Sequence, residues 1–264
     1  MRGGCIVVLM IGGHPRSGTT LLRDVLNGHP QISVTNEFAC FAHIGQSWTN
    51  CVSTVLERWG NVGGKWAFDA RCSSQQDLGK CNLRFCMNYL THLNKRGPVT
   101  VSDIERALQH LFPESRIVGD KWPHYEFMVD ELVKVHGVHG LVIYRDCRDV
   151  TSSFLRMART YWRGQAWVNK LNTAATVAAH WVKSIECMEL HRDHIDIVRY
   201  EEFINSPRTV LSQIADRLRV DAAGFPTAQI SHRSIGKFKS GLTADELNDV
   251  IAIAGPTMTR LQYT

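Results

Sequence analysis

The 264 residues are 44% hydrophobic and 21% charged, a globular composition that excludes global disorder. A formal net charge of +5 suits an anionic small molecule or an acidic surface and is too mild to argue for nucleic acid. No apolar run approaches the ~20 residues that span a bilayer. The eight cysteines, at positions 5, 40, 51, 72, 81, 86, 147 and 187, form neither a disulfide framework nor a zinc-ribbon spacing, so free thiols in a cytoplasmic protein are expected.

Residues 5–12 form a continuous apolar run closed by Gly12-Gly13, the pattern of a buried parallel strand. Cleavage of CIVVLMI as a secretion signal would remove that strand. GHPRSGTT follows, which is the phosphate-loop pattern G-x-x-x-x-G-K-[ST] with Thr19 in the place of lysine. TTLLRDVLNGHP reads as a helix with Leu21, Leu22, Val25 and Leu26 on one face, stopped by Gly28 before Pro30. QISVTNEF is a second short strand ending at Glu37. Residues 38–100, rich in Cys, Gly and Trp, hold helices around 50–59 and 83–95, and SDIERALQHLF is capped by Ser102 or Asp103.

RIVGD and GLVIYRD are further short buried strands, followed by helices at about 123–136 and 147–160. A long helix at about 166–192 leads to the strand in HIDIVRYEEF. SPRTVLSQIADRLRV is a helix with Pro207 in its first turn, and TADELNDVIAIAGPTMTRLQY closes the chain helically. This alternation predicts one α/β domain, residues 1–264, with a mostly parallel central sheet covered by helices on both faces. Ligands of such sheets sit outside the carboxyl ends of the strands, so the loops after residues 12, 120, 145 and 200 should surround one site.

In the first loop, the backbone N–H groups of Ser17 through Thr20 meet a helix N-terminus, where dipole and free donors favour an anion. Arg16 supplies a cation within the loop, and the hydroxyls of Ser17, Thr19 and Thr20 add donors. A plain glycine-rich turn is the bland alternative, and strand and helix on either side argue against it. The order PRSGTTLL resembles the 5′-phosphosulfate loop of sulfotransferases that use 3′-phosphoadenylyl sulfate (PAPS). The resemblance implies a three-layer, P-loop NTPase-like sulfotransferase fold, PAPS as cosubstrate, and no metal. It also implies that Arg16, Ser17, Gly18, Thr19 and Thr20 hold the phosphosulfate end.

YRDCRDVTSSFL places Arg145 at a strand end and Ser153 eight positions later in a helix. It is similar to the family's 3′-phosphate motif, with Cys147 for the common proline, and an arginine with a nearby hydroxyl can grip a phosphate. The competing reading is a solvated, self-paired RDCRD cluster. The resemblance covers residues 5–37 and 116–160 and weakens in the C-terminal third.

Glu37 stands 37 − 16 = 21 residues after Arg16. That register resembles the tyrosylprotein sulfotransferase branch, which implies that Glu37 is the catalytic base; a surface glutamate capping the next helix is the alternative. Lys121 in VGDKWPHY is similar to that branch's lysine, which stabilises the transition state. Cytosolic small-molecule enzymes carry a histidine base two residues past their lysine. Pro123 occupies that place here, and His124, one step on, is the rival base, ranked below Glu37. Tyr200 resembles the tyrosine beside the adenine, with a core tyrosine as the alternative. Ser234 in SHRSIGKFKSGL resembles the late loop that folds over the nucleotide, with Lys237 or Lys239 on a phosphate; a solvated turn is the competitor. Ser234 joins Arg16 and Lys121 in stabilising charge on the leaving phosphate.

The branch's second arginine, twelve past Arg145, is replaced by Met157, with Arg156 beside it. Trp122, Tyr161, Trp162 and Trp167 lie near the loops without an assigned role. The implied activity is transfer of a sulfuryl group to an acceptor hydroxyl, phenolic or peptide tyrosine, with residues 38–100 as a helical acceptor-side insertion. Carbohydrate, lipid and natural-product acceptors are the alternatives within the class. Outside it stand a nucleotide kinase with Asp146 on Mg²⁺, which lacks the bridging lysine, and a non-catalytic nucleotide-binding protein.

Overall fold

The computed structural model describes residues 7–62, 68–69 and 78–263. Residues 5 and 6 of the expected first strand, and Cys5 and Cys72, lie outside that range. Five strands build one all-parallel sheet: β1 (Val7–Gly12), β2 (Ile32–Asn36), β3 (Ile117–Lys121), β4 (His139–Tyr144) and β5 (Ile195–Arg199). Their order is β2-β3-β1-β4-β5, and Leu9 of β1 pairs with Gly119 of β3 and His139 of β4. The sheet is therefore wholly parallel, and the predicted alternation of strand and helix holds.

β1 lacks a polar position because both of its faces are covered. Leu9 and Ile11 enter one core, with α1 (Thr19–Asn27), α7 (Tyr200–Asn205) and α8 (Pro207–Leu218). Val8 and Met10 enter the other. That core is built with α2 (Trp48–Val62), α3 (Leu78–Leu93), α4 (Val101–Leu111), α5 (Cys147–Arg159), α6 (Ala174–Leu190) and α9 (Ala244–Arg260). Three layers result. Leu9, Met10 and Ile11 are fully buried, and truncating any one to alanine costs about 2–5 kcal/mol.

Several boundaries differ from the sequence reading for identifiable reasons. Helix α4 starts after Thr100, whose side chain and that of Asp103 cap one another's backbone N–H, so the cap precedes Ser102. The expected helix at 166–192 is divided: a 3₁₀ turn at Ala166–Lys170 is followed by a fresh start at α6, where Thr173 and Thr176 form a capping box. The expected helix at 123–136 is a 3₁₀ turn, Pro123–Met128, followed by a π turn, Asp130–Val135. Tyr125 and Glu126 are both fully buried and bond to different partners, Asp120 and Gly13. In the 38–100 region, α2 and α3 are longer than read and begin earlier.

The chain leaves β1 toward β2 and leaves β4 toward β5, in opposite directions across the sheet. These neighbouring strands thus define a topological switch point, with a crevice at their carboxyl ends. Among the described residues no helix is long and apolar enough to cross a membrane.

Candidate active site

After β1 the backbone makes turns that side chains resist. Gly13 has φ +135, and a Cβ there would lie 2.2 Å from the Ile143 carbonyl oxygen. Gly18 has φ +100, and its Cβ would lie 2.4 Å from the Tyr200 ring. Arg16 adopts φ +76 between them without being glycine, a strained conformation of the kind that clusters at functional sites. Helix α1 begins at Thr19 with no side-chain cap, leaving its first N–H groups for an anion. Ser17 lies fully buried under the loop, and its Oγ has no partner among the described residues. His14 donates no charge here: burial, with His180 and His124 nearby, lowers it to about 3.

The second cradle forms where β4 ends. The Arg145 guanidinium pairs with Asp149 at 3.1 Å, meets the Ser234 carbonyl and stacks 4.5 Å above the Tyr200 ring. Its Nε is buried without a partner among the described residues. The RDCRD cluster is thus self-paired, Arg148 with Asp146 at 2.7 Å and Arg145 with Asp149, but it is not solvated: Arg145, Asp146 and Asp149 are all buried. Arg16 joins the cradles: its Nε donates to Ser153 Oγ at 3.1 Å, and its carbonyl accepts from Arg145 at 3.5 Å. Burial, with Arg156 and Arg145 nearby, lowers Arg16 from its ordinary value.

Between β2 and β3 stands the third element. Lys121 Nζ, fully buried, donates to Glu37 Oε1 at 2.7 Å and to Thr20 Oγ1 at 3.2 Å. Burial lowers the lysine, and the Glu37 charge opposes that shift. Glu37 has φ +55, and its N–H bonds to the Lys121 carbonyl at 2.6 Å. Asp120 fixes the turn that follows by accepting from the N–H groups of Phe38 (3.1 Å) and Ala39 (2.7 Å) and from the Tyr125 hydroxyl (2.6 Å). The glutamate is thereby presented to the crevice.

A cavity of about 740 Å³ brings these elements together. Arg16, Gly18, Thr19, Thr20, Glu37, His124, Arg145, Ser153, Tyr200, Ser234 and Lys237 all line it. Ser17 and Lys121 are fully buried and do not line it. Trp122 and Trp162 line it as well, whereas Tyr161 is 84% exposed and is not part of its wall; the Trp167 side chain lies outside the described residues. Arg156 faces the cavity and Met157 does not line it.

Sequence reasoning missed Arg58 of α2, whose Nε donates to the Glu37 carbonyl at 2.8 Å. It also missed Asp149, which accepts from the N–H groups of Gly236 (2.8 Å) and Phe238 (3.0 Å) and so ties the late loop to α5. No spacing signals either bond, though Asp149 lies within the quoted RDCRD stretch. Among the described residues no cluster of His, Cys, Asp or Glu could hold a metal ion.

The glycine loop after β1, the Arg145 cluster after β4 and the Glu37–Lys121 pair thus meet at one switch point of a parallel α/β sheet. The sequence matches the Sulfotransferase family over residues 9–223, and the chain belongs to that family. It is 25% identical over 221 residues to protein-tyrosine sulfotransferase 2 of Gallus gallus, covering 78% of this chain and 49% of that protein, so it spans about half the length of that relative. Its fold is shared with the sulfotransferase domain of the Synechococcus PCC 7002 olefin synthase (TM-score 0.61, 20% identity, 95% of this chain and 94% of the other). A mouse sulfotransferase solved with PAP also shares it (TM-score 0.54, 12% identity, 96% and 84% covered).

Proposed function

We propose that the chain is a cytoplasmic sulfotransferase that moves a sulfuryl group from PAPS to an acceptor hydroxyl. The observation that carries this reading is the joining of two anion cradles at one switch point, linked by the 3.1 Å contact of Arg16 with Ser153. Such a pair suits a nucleotide with anionic groups at both its 5′ and 3′ ends. Two buried atoms that lack a partner among the described residues, Ser17 Oγ and Arg145 Nε, fit a ligand of that kind.

When bound, PAPS would supply the activated sulfuryl group; the chain supplies the rest. Ser17, Gly18, Thr19 and Thr20 hold the phosphosulfate end through N–H and hydroxyl groups, with Arg16 as the cation. Arg145 and Ser153 hold the 3′-phosphate, Tyr200 flanks the adenine, and Lys237 adds a phosphate contact. Glu37 takes the acceptor's proton, while Lys121, Arg16 and Ser234 stabilise charge on the departing phosphate. Lys121 bonds Glu37 and Thr20 together, so the ammonium stands between the base and the anion loop. A kinase would need a lysine where Thr19 stands and a free Asp146, but Asp146 is tied to Arg148 at 2.7 Å.

A phenolic acceptor, including peptide tyrosine, is the favoured substrate class, supported by the 25% identity to a protein-tyrosine sulfotransferase. Arg58, Trp122 and His124 form the proposed acceptor wall, to which the 38–100 insertion contributes Arg58. The test is labelled-sulfate transfer across phenols, tyrosyl peptides, sugars and lipids, with wild type and Glu37→Gln. Expected are transfer by wild type and a loss of ~10²–10⁴-fold in the variant. Full activity in Glu37→Gln with loss in His124→Ala would move the base to His124. Nucleotide binding without transfer to any acceptor would favour the non-catalytic alternative.

A further inference from the structure

Glu126 lies directly behind the phosphate loop and has no part in the chemistry above. Its side chain is fully buried, with Oε2 accepting the Gly13 N–H at 3.2 Å and Oε1 bonded to the Ser184 hydroxyl at 3.1 Å. Its backbone closes on the loop too, since a Cβ on Gly12 would meet the Glu126 nitrogen at 2.8 Å. The turn that carries it packs on β1 and α6.

Among the described residues the surroundings offer no counter-charge. From α6 come Cys187, whose thiol donates to the Glu126 carbonyl at 3.0 Å, and His180; from the loop comes His14; and Asp130 follows on the next turn. Burial lowers both histidines, and burial, Glu126 and Asp130 push the Cys187 thiol up. Among the described residues no cation lies within ion-pairing distance of the Glu126 carboxyl. A buried carboxyl without a cation favours its neutral form, and burial raises Glu126 to about 8.

We propose that Glu126 is a positioning residue of the phosphate loop: as a neutral acid it holds the Gly13 amide, and its ionisation beneath the loop weakens binding of an anionic nucleotide. The proposal rests on the nucleotide reading of the loop. A charge placed there repels the incoming phosphate through a poorly screening interior. By linkage, binding then takes up a proton at mildly alkaline pH. The sign for folding is the same: the raised acid makes the fold lose stability as pH rises from 4.5 toward about 8, because the unfolded chain ionises first.

The test measures the dissociation constant of 3′-phosphoadenosine 5′-phosphate (PAP) by calorimetry from pH 7 to 9.5. Its phosphates are already ionised, with second pKa values of about 6. Wild-type affinity should fall above pH 8, approaching the one-proton limit of about tenfold per pH unit, and Glu126→Gln should show a markedly flatter profile. Ser184→Ala removes a bond that favours the ionised form, so its midpoint should move to higher pH, which keeps the proposal testable if Glu126→Gln fails to fold. Coincident profiles for wild type and Glu126→Gln, or an unmoved midpoint in Ser184→Ala, would overturn it. Absence of PAP binding by the wild type at every pH would instead overturn the nucleotide reading, and the proposal with it.

Discussion

Replacing Lys121 with methionine separates stability from chemistry. The ammonium is fully buried and 2.7 Å from the Glu37 carboxylate, a gross attraction of about 6 kcal/mol at an effective dielectric of 20. Burying the lysine costs several kcal/mol and offsets most of that gain. Once the lysine is gone, Glu37 is not stranded: its side chain is 30% exposed and keeps Arg58 at 3.9 Å. Methionine fills a similar volume and adapts its shape. Folding stability should therefore change by about 1 kcal/mol or less in either direction. Turnover should fall ~10²–10³-fold, the usual effect of removing one group that stabilises transition-state charge. Urea denaturation and steady-state kinetics on the same preparation give both numbers. A variant destabilised by more than about 3 kcal/mol that keeps its kcat would refute the reasoning.

Two further perturbations address the nucleotide cradles. Arg145→Ala removes charge-assisted bonds worth about 1.5–3 kcal/mol, so PAP affinity should drop ~10–100-fold. Adenosine 5′-phosphate should lose only about 2–5-fold through the missing stacking on Tyr200. Equal losses for the two nucleotides in parallel titrations would remove Arg145 from the 3′-phosphate. Gly18→Ala meets both a φ of +100 and a Cβ 2.4 Å from the Tyr200 ring. It should weaken PAP at least about tenfold while the sheet stays folded, and near-native affinity by calorimetry would show that the loop does not need this geometry.

The sheet and its anion loop could be read from the chain because their signals are local. The β1 run, the glycine pair and the α1 periodicity follow closely on one another, and Arg145 sits just before the N-cap of the helix that carries Ser153. What escaped depends on contacts between distant segments. Arg58 reaches the Glu37 carbonyl from a helix 21 residues away, and Asp149 bonds amides 87 and 89 residues later. Side-chain bonds to remote backbone leave no periodicity. Asp120 stands beside Lys121, and its work lies in four bonds that spacing does not reveal. Helix boundaries failed where tertiary demands prevailed, as at Tyr125 and Glu126, or where a cap such as Thr173 restarted a helix inside an apparently continuous pattern.

The central claim is that two cradles at one switch point hold opposite ends of a single nucleotide. A crystal structure of the chain with PAP tests this directly. The 5′-phosphate should lie on the amides of Ser17 through Thr20 within reach of Arg16, and the 3′-phosphate on Arg145 and Ser153. A 3′-phosphate that points to solvent, with Arg145 still bound to Asp149 and the Ser234 carbonyl alone, would contradict it.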